Sequence, residues 1–305
     1  MDWKLSLAGL LVGTLVGMTG MGGGSLMTPL LVFFFGFKPT VAIGTDILHG
    51  AIFKSFGAAR HRQLGTVHAR LTVWMLLASA PCSLAGVGLS TWLKHRYGDG
   101  FEDAAGVILG FALIAGGIGF AVKTFVAGRV KSDAPFLLSA SDRRIAVATG
   151  ALGGFVVGLT SVGSGTFFGL VMLLVFPLTA AKVVGTDIFH AAALLWVAGA
   201  GHLAAGNVDL HATGWLLIGS IPGVLLGSQV SVNLPDRALR LGLATTLTLA
   251  GIKLAEVPGA ELVMVSVLSA AALALLVMVA RRLVRGSARP EPAAPEAGTT
   301  RSGGR

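Results

Sequence analysis

Charged residues and cysteine are scarce in this chain of 305 residues. Only 12% of the residues are charged and Cys82 is the single cysteine, whereas 54% are hydrophobic. One cysteine excludes an intrachain disulfide and argues against a cysteine-based metal site. Because a soluble domain of this length could not bury so much apolar surface, we predict an all-α polytopic membrane protein.

Motifs for nucleotide and nucleic-acid chemistry are also missing. The sequence has no P-loop of the form G-x-x-x-x-G-K-[ST], so nothing indicates that ATP drives this chain. The net charge of +9 comes from basic residues in short loops and near the C-terminus, as is typical of membrane orientation signals. We therefore predict no enzyme, no cofactor, no resident metal and no nucleic-acid partner.

The chain contains an internal repeat. Residues 9–86 align without a gap to 150–227, at an offset of 141, with 26 identities in 78 positions. Shared apolar composition cannot place rare polar residues in register, so the repeat is a duplication that sets the architecture. The identities include Asp46/Asp187, His49/His190, His61/His202, Trp74/Trp215 and Pro81/Pro222.

Each half has a glycine-rich break inside an apolar stretch. The breaks are Gly17-Met-Thr-Gly-Met-Gly-Gly-Gly-Ser25 and Gly158-Leu-Thr-Ser-Val-Gly-Ser-Gly-Thr166. The segments that follow would form helices of only about 18 Å, too short for a bilayer core of about 30 Å. We therefore predict two broken or re-entrant helix pairs, 5–20 with 26–37 and 145–160 with 166–178.

Longer apolar segments supply the remaining crossings, which we predict at 41–59, 70–93, 104–126, 182–203, 212–232, 238–255 and 261–284. Three arginines occupy the loop 60–70, whereas its copy at 201–211 has no Lys or Arg. By the positive-inside rule the two halves are therefore inverted, and the C-terminus is cytoplasmic. The predicted divisions are a first repeat over 5–126, a second over 143–256, an additional helix over 261–284 and a disordered tail over 287–305.

The glycine-rich turns are the predicted substrate site. Half-helix N-termini carry partial positive charge and unpaired N–H groups, and glycine lets a ligand approach the backbone closely. The alternative is helix packing through small residues spaced by four, which we expect of Gly9, Gly13 and Gly17. The predicted substrate-binding residues are Thr19, Gly22, Gly23, Gly24, Ser25, Thr160, Gly163, Ser164, Gly165 and Thr166.

Two Asp/His pairs form the second group of candidates. Asp46 with His49, and Asp187 with His190, have the i, i+3 spacing that places both side chains on one helix face. Ionisable residues inside a membrane are expensive and are functional by default, so we predict a gating or proton-coupling role. The alternative is that the two aspartates cap helices that begin near 45–47 and 186–188.

Other polar residues received structural interpretations. Lys54 has no counterpart in the second half and either attracts substrate or, as we prefer, extends to the membrane interface. His61 and His202 are expected to be structural.

The motifs resemble a known family. The pattern G-M-T-G-M-G-G-G-S-L-M-T-P-L-L followed by A-I-G-T-D, with G-L-T-S-V-G-S-G-T and V-V-G-T-D in the second half, resembles the TauE/SafE sulfite exporter family, or TSUP superfamily. The resemblance covers about residues 5–280. It implies an inner-membrane permease for small, often sulfur-containing anions such as sulfite and sulfonates. Leu170 replaces Pro29 of the first copy, so we expect the second turn to be shaped differently.

The resulting expectation is a secondary transporter of small anions that works by alternating access in the bacterial inner membrane. Its expected partners are the anion, a coupling proton or sodium ion, and the lipid bilayer. The substrate, the direction of transport and any homo-oligomer stay open. Two alternatives are a divalent-cation transporter that uses the Asp/His pairs as ligands, and a non-transporting membrane scaffold or sensor.

Overall fold

The chain is all-helical. The computed structural model describes residues 2–19, 24–126, 137–163, 165–230, 236–259 and 266, which contain ten α-helices and no strand. This confirms the predicted fold class at that level. The helices are α1 Asp2–Thr19, α2 Gly24–Phe35, α3 Pro39–Gln63, α4 Ala69–Tyr97, α5 Asp99–Val126, α6 Ala140–Thr160, α7 Phe167–Val175, α8 Ala180–Ala204, α9 Leu210–Val230 and α10 Asp236–Leu254.

All ten helices belong to one compact unit, Met1–Pro258, and a second unit comprises Gly259–Arg305. The helix predicted at 261–284 lies outside the described residues apart from Ser266, and the tail predicted at 287–305 lies wholly outside them. Both stay predictions.

Within the described part of the chain, three helices are long and apolar enough to cross a membrane, namely Ala69–Tyr97, Asp99–Gly119 and Lys182–Ala204. They correspond to the crossings predicted at 70–93, 104–126 and 182–203. The helix α3 has 25 residues, or about 37 Å at 1.5 Å per residue, which is also long enough. Its polar residues lower its hydropathy below that of the other three.

The helix breaks occur at the two glycine motifs. The helix α1 ends at Thr19 before α2 begins at Gly24, and α6 ends at Thr160 before α7 begins at Phe167. The second members have 12 and 9 residues, so they extend about 18 and 14 Å. Both are shorter than a bilayer core of about 30 Å, and neither can cross it alone.

The start of α3 and α8 corrects the capping prediction. The bounds of α8 are those of α3 shifted by 141 residues. The N-cap residues are Lys38, which is followed by a proline at N1, and Thr179, whose hydroxyl accepts from the amide of Lys182 at 3.4 Å. Asp46 and Asp187 are therefore the eighth residues of their helices and cap neither one.

Two helix pairs run parallel and pack through glycine. Gly9 and Gly13 of α1 lie against Leu216 and Ser220 of α9, and Gly150 and Gly154 of α6 lie in the same way against Met75 and Ser79 of α4. In each pair the numbers of the contacting residues increase in the same direction along both helices. This confirms the packing role expected of Gly9 and Gly13. Only the backbone of Gly17 is described, so its packing role stays a prediction.

Two further pairs run antiparallel. Gly50 of α3 faces Leu195 of α8, and Gly57 faces Ile188. The residue numbers therefore increase along α3 while those of the facing residues decrease along α8. The helices α5 and α10 pack in the same sense, because Gly110 contacts Gly251 and Gly117 contacts Ala244. These contacts join the third and fifth helices of each half to their counterparts.

The close packing of α4 on α6 gives a direct test. A Cβ atom at Gly154 would lie 2.5 Å from Cα of Ser79 and 2.8 Å from its carbonyl carbon, so both helices would have to move. We expect Gly154→Ala to destabilise the protein by about 1–3 kcal/mol and to lower its melting temperature in detergent.

The control is Gly88→Ala on α4. Gly88 is exposed and an added Cβ would meet nothing within 4 Å. Alanine favours helix by up to about 1 kcal/mol over glycine, so this variant should melt at the wild-type temperature or above. Equal melting of the two variants would show that the α4–α6 contact does not depend on the missing side chain.

Candidate functional site

A buried carboxylate connects the helix that follows the first glycine motif to the second glycine motif. Asp46 is 1% exposed. Its Oδ2 atom accepts the Thr28 hydroxyl of α2 at 2.5 Å and the Ser161 hydroxyl at 2.8 Å. Thr28 lies just beyond the first motif and Ser161 lies inside the second. Oδ1 has no hydrogen-bond partner among the described residues.

Backbone geometry explains how Ser161 reaches Asp46. Ser161 ends α6 in the left-handed conformation, with φ of 63°, and its amide donates to the Val157 carbonyl at 2.8 Å. The conformation is uncommon for a residue with a Cβ and costs free energy. Gly163 and Gly165 then adopt φ of 122° and 96°, which favour glycine. The chain reverses within a few residues and begins α7.

The amides at the start of α7 are engaged by the chain itself. The N–H groups of Phe167 and Phe168 point to the Gly163 carbonyl, at N···O distances of 3.1 and 3.5 Å. The expected unpaired N–H groups are therefore not available at these two residues. Thr166 is different, because it is 1% exposed and its hydroxyl has no partner among the described residues.

The remaining predicted turn residues divide into two groups. Thr160 is buried, and its hydroxyl donates to the Val156 carbonyl at 2.7 Å and accepts from the Val162 amide at 3.2 Å, so its bonds are local. The other group is described in part or not at all. Gly22, Gly23 and Ser164 lie outside the described residues, and only the backbone is described for Thr19, Gly24 and Ser25.

Both predicted histidines bridge the two halves. Nε2 of His49 lies 2.8 Å from the Ser220 hydroxyl, and Nε2 of His190 lies 2.9 Å from the Ser79 hydroxyl. The two bonds are equivalent under the 141-residue offset. Each histidine is buried beside an aromatic ring, Phe53 or Phe168. The structure therefore places each histidine on a serine of the other half.

Threonines next to the aspartates fix the loops that precede α9 and α4. The Thr45 hydroxyl accepts from the amide of Asp209 at 3.0 Å, and the Thr186 hydroxyl accepts from the amide of His68 at 2.9 Å. This pair of bonds is also repeated at the offset of 141.

Lys54 is buried in the bundle and does not extend to the membrane interface. Its exposed fraction is 2%, which makes the preferred interpretation from the sequence wrong. It lies on α3 between Gly50 and Gly57, the two positions that contact α8. Its ammonium interacts electrostatically with the carboxylates of both Asp46 and Asp187. The two aspartates therefore share one buried cation.

His202 also belongs to the buried polar set. It is fully buried near the end of α8, and Nε2 lies 2.8 Å from the Gly158 carbonyl. It thereby holds the chain just before the second turn, which agrees with the structural role expected of it.

Two similar cavities flank the broken helices. One, of about 220 Å³, is lined by Gly163, Thr166 and apolar residues of α5, α6 and α7. The other, of about 190 Å³, is lined by α1, α2 and α10 residues, including Leu11 and Pro29, which are equivalent to Leu152 and Leu170 of the first. Their walls are almost wholly apolar, whereas the polar side chains described above cluster around Asp46.

A polar network occupies one end of the bundle. The Glu102 carboxylate accepts the Thr40 hydroxyl at 2.5 Å and the Thr40 amide at 3.1 Å, and Lys94 lies 3.7 Å from it. Lys94 also donates to Asn207 at 2.8 Å. A cavity of about 450 Å³ beside these residues is lined further by Lys38 and others.

The described residues hold no group of three or more His, Cys, Asp or Glu side chains that could bind a metal ion. The two Asp/His pairs therefore do not converge on one metal position within the described part of the chain.

Sequence reasoning missed four contributors to this cluster: Thr28, Ser79, Ser161 and Ser220. It considered Lys54 but preferred to place it at the membrane interface. Ser79 and Ser220 are identical at equivalent positions of the repeat, so the alignment contained a signal for them. Thr28 and Ser161 carried no such signal, because their equivalents are Gly169 and Gly20.

The Thr28 bond to Asp46 can be tested by an isosteric change. Thr28→Val keeps the volume but removes one of two donors to a buried charge, so we expect a loss of about 1.5–3 kcal/mol in the free energy of unfolding. The matched control is Thr14→Val, since the Thr14 hydroxyl bonds only to the Leu10 carbonyl of its own helix. Thermal melting in detergent compares the two, and equal losses would contradict the special role of Thr28.

The sequence is similar to that of known membrane proteins. A family model described as Sulfite exporter TauE/SafE matches residues 5–254. The chain is 36% identical over 255 residues to the probable membrane transporter protein YjnA of Bacillus subtilis (strain 168), covering 83% of this chain and 100% of that protein. The probable membrane transporter proteins YdhB and YunE of the same organism are 23% and 22% identical, over 80% and 82% of this chain and 96% of each relative.

No solved structure gives a significant match. The family match covers most of the chain, and the described helices are largely apolar. The chain is therefore a multi-pass membrane protein of the TauE/SafE sulfite exporter family, and the relatives named above are named as probable membrane transporter proteins.

Proposed function

We propose that this protein is a secondary transporter of small anions, specifically sulfur-containing oxyanions or organosulfonates such as sulfite, and that it works by alternating access. The observation that carries the proposal is the polar cluster around Asp46, which joins α2, the helix after the first glycine motif, to Ser161 of the second motif at one buried position, within a family of transporters. Buried polar groups inside a membrane bundle are costly and mark substrate and ion pathways.

The chemistry of the cluster favours an oxyanion. Hydroxyl groups of Thr28, Ser161 and Thr166 are hydrogen-bond donors of the kind that sulfonate oxygens accept. Lys54 supplies a buried positive charge that interacts electrostatically with Asp46. The proposed substrate-binding residues are Gly163, Gly165 and Thr166 of the second turn, with Ser164, Thr160 and the first-turn residues Thr19, Gly22, Gly23, Gly24 and Ser25.

We further propose that the two halves form an inverted repeat. Equivalent helices that pack antiparallel on each other, as α3 does on α8 and α5 on α10, are what a two-fold axis in the membrane plane would produce. In such transporters the substrate lies at the repeat interface near the bilayer midplane, between broken helices. The Asp46 cluster lies where the halves meet, which supports this placement.

The two histidine–serine bonds are the proposed gates. His49 joins the first half to Ser220 of the second, and His190 joins the second half to Ser79 of the first. Movement of one half against the other must change these contacts, because each spans the interface. Asp46 and Asp187 complete the proposed gating or coupling pairs.

Charge distribution supports an orientation with the C-terminus in the cytoplasm of a bacterial inner membrane. The antiparallel packing of α3 on α8, and the parallel packing of α4 on α6, place the end of α3 and the starts of α4 and α6 at one end of the bundle. Five exposed arginines lie there, as the positive-inside rule requires of a cytoplasmic face. They are Arg60, Arg62, Arg70, Arg143 and Arg144.

The divalent-cation alternative is less well supported. Cation transport would use the aspartates and histidines as ligands, but each histidine Nε2 is engaged by a serine and a lysine lies with the carboxylates. A binding screen of the purified protein separates the alternatives. Sulfite, thiosulfate, methanesulfonate and sulfate are compared with Mg²⁺, Mn²⁺ and Zn²⁺, with the shift in melting temperature as readout.

We expect stabilisation by at least one sulfur anion and none by the metals. Stabilisation by a divalent metal alone would favour the cation transporter. Absence of any effect, together with wild-type behaviour of Asp46→Asn and Asp187→Asn, would favour a scaffold.

Transport itself is tested by filling the second turn. Gly163 has a φ of 122°, so Gly163→Leu strains the turn and fills the space next to Thr166. We expect at least a tenfold loss of anion uptake into proteoliposomes, and the same for Gly22→Leu at the equivalent position of the first motif.

The matched control is Gly65→Leu in the loop between α3 and α4. Gly65 also has a positive φ, of 68°, but an added Cβ atom there would meet nothing within 4 Å. It therefore reports the cost of backbone strain alone. Equal uptake by Gly163→Leu and Gly65→Leu, with both proteins folded, would remove the second turn from the substrate site.

A further inference from the structure

The polar cavity beside Lys94 lies at the end of the bundle opposite the five arginines. The starts of α3 and α5, the end of α4 and the loop between α8 and α9 meet there. Its volume is about 450 Å³. Because a water molecule occupies about 30 Å³ in the liquid, the cavity has room for a small anion together with several waters of hydration. Its charged and polar lining residues are Lys38, Lys94, His95, Asp99, Glu102 and Asn207.

The two carboxylates of the cavity already have donors. The Glu102 carboxylate accepts the Thr40 hydroxyl with one oxygen and the Thr40 amide with the other, at 2.5 and 3.1 Å. The Asp99 carboxylate accepts from the Lys38 ammonium at 2.7 Å. A bound cation would have to displace these donors, so the carboxylates do not form an open cation site.

Lys94, in contrast, has N–H groups left for a ligand. Its ammonium has three donors, and among the described residues it makes one hydrogen bond, to the amide oxygen of Asn207 at 2.8 Å. The nearest Glu102 oxygen is 3.7 Å away, beyond hydrogen-bond distance. The side chain is 29% exposed and lines the cavity. A partly exposed ammonium with donors to spare can attach an oxyanion.

The cavity is close to the central polar cluster. Thr40, which bonds to the buried carboxylate of the cavity, precedes Asp46 by six residues, or about 9 Å of helix. The Lys94 ammonium also interacts electrostatically with His202, whose Nε2 atom lies 2.8 Å from the Gly158 carbonyl. Gly158 begins the second glycine motif. An anion held at Lys94 would therefore be at the start of a short path to the second turn.

We propose that this cavity is an outer entry site for the transported anion, in which Lys94 holds the hydrated oxyanion before it moves to the glycine turns. The charge of Glu102, close to the same ammonium, repels the anion and keeps the attachment weak. An ion pathway needs such sites, because the ion must bind well enough to enter and loosely enough to leave. This inference rests on the anion transport and the orientation proposed above.

Two substitutions in the cavity should change anion uptake in opposite directions. Uptake of thiosulfate, methanesulfonate and sulfate is measured in proteoliposomes. Lys94→Met removes the ammonium and should raise the KM for the transported anion by about threefold or more, with little change in kcat. Glu102→Gln keeps the size of the side chain but removes the repelling charge, so it should lower the KM. A rise in KM for both variants is the result of a purely structural network and overturns the entry site.

The matched control is Lys253→Met. Because α10 packs antiparallel on α5, Lys253 lies at the same end of the bundle as Lys94. It is exposed, its ammonium lies 5.3 Å from the ring of Phe33, and it does not line the cavity. Its removal should leave the KM unchanged. An equal rise in KM for Lys253→Met and Lys94→Met would assign the effect to the overall charge of that end and overturn the site.

Occupancy of the site is measured directly on the wild-type chain in lipid nanodiscs. A water-soluble succinimidyl ester acetylates lysines, and mass spectrometry follows Lys94 and Lys253 in the same sample. The same three anions are added at constant ionic strength, which potassium gluconate maintains. The transported anion should slow acetylation of Lys94 by about twofold or more once the site is at least half occupied, and that of Lys253 not at all.

The outcomes separate this inference from the proposed function. Unchanged acetylation of Lys94 in a protein that takes up the anion overturns the entry site alone. Failure of the wild type both to bind and to take up any sulfur anion overturns the proposed function and this inference with it. The acetylation result also decides the question if Lys94→Met does not fold, because it needs no substitution.

Discussion

The hydrogen bonds to the buried carboxylate of Asp46 are the constraint on which the centre of this structure depends. A carboxylate inside a membrane bundle must receive hydrogen bonds or a counter-charge, because lipid supplies neither. Asp46 receives hydroxyls from Thr28 and Ser161, and Lys54 provides the charge. The need to satisfy one side chain thereby joins α2, α3 and the turn after α6.

Glycine makes this arrangement compatible with close packing. In lipid, helices associate through van der Waals contact and hydrogen bonds, so small residues that let backbones approach have large effects. The glycine rows of α1 and α6 bring these helices against the backbones of α9 and α4. The same helix contacts place Ser220 and Ser79 within hydrogen-bond distance of the buried histidines. Packing and polar contacts across the halves are therefore produced by the same helix surfaces.

The repeat is symmetric in its scaffold and asymmetric in its polar centre. Histidine–serine bonds and threonine–amide bonds recur at an offset of 141 residues. Lys54, in contrast, has Leu195 as its counterpart, and Thr28 has Gly169. A duplicated fold can keep equivalent backbones while single substitutions give the two halves different polar side chains.

The sequence by itself determined the all-helical class, the duplication and the position of both helix breaks. Composition and in-register identities are sufficient for these, since apolar segments define helices in lipid and glycine-rich stretches interrupt them. Family membership also followed from the motifs. The start of α3 at Pro39 did not, because the polar residues near Asp46 resembled a helix start.

Only the tertiary structure decided what each polar residue contacts. Ser161 is 115 residues from Asp46 in the chain, and no local pattern encodes that distance. The burial of Lys54 depends on α8 covering its face of α3, which hydropathy along one helix cannot reveal. The apolar segments of the sequence determine which parts of the chain enter the membrane, whereas helix–helix contacts determine which charged side chains meet there. The polar centre results from helix–helix contacts and therefore appears only in the folded chain.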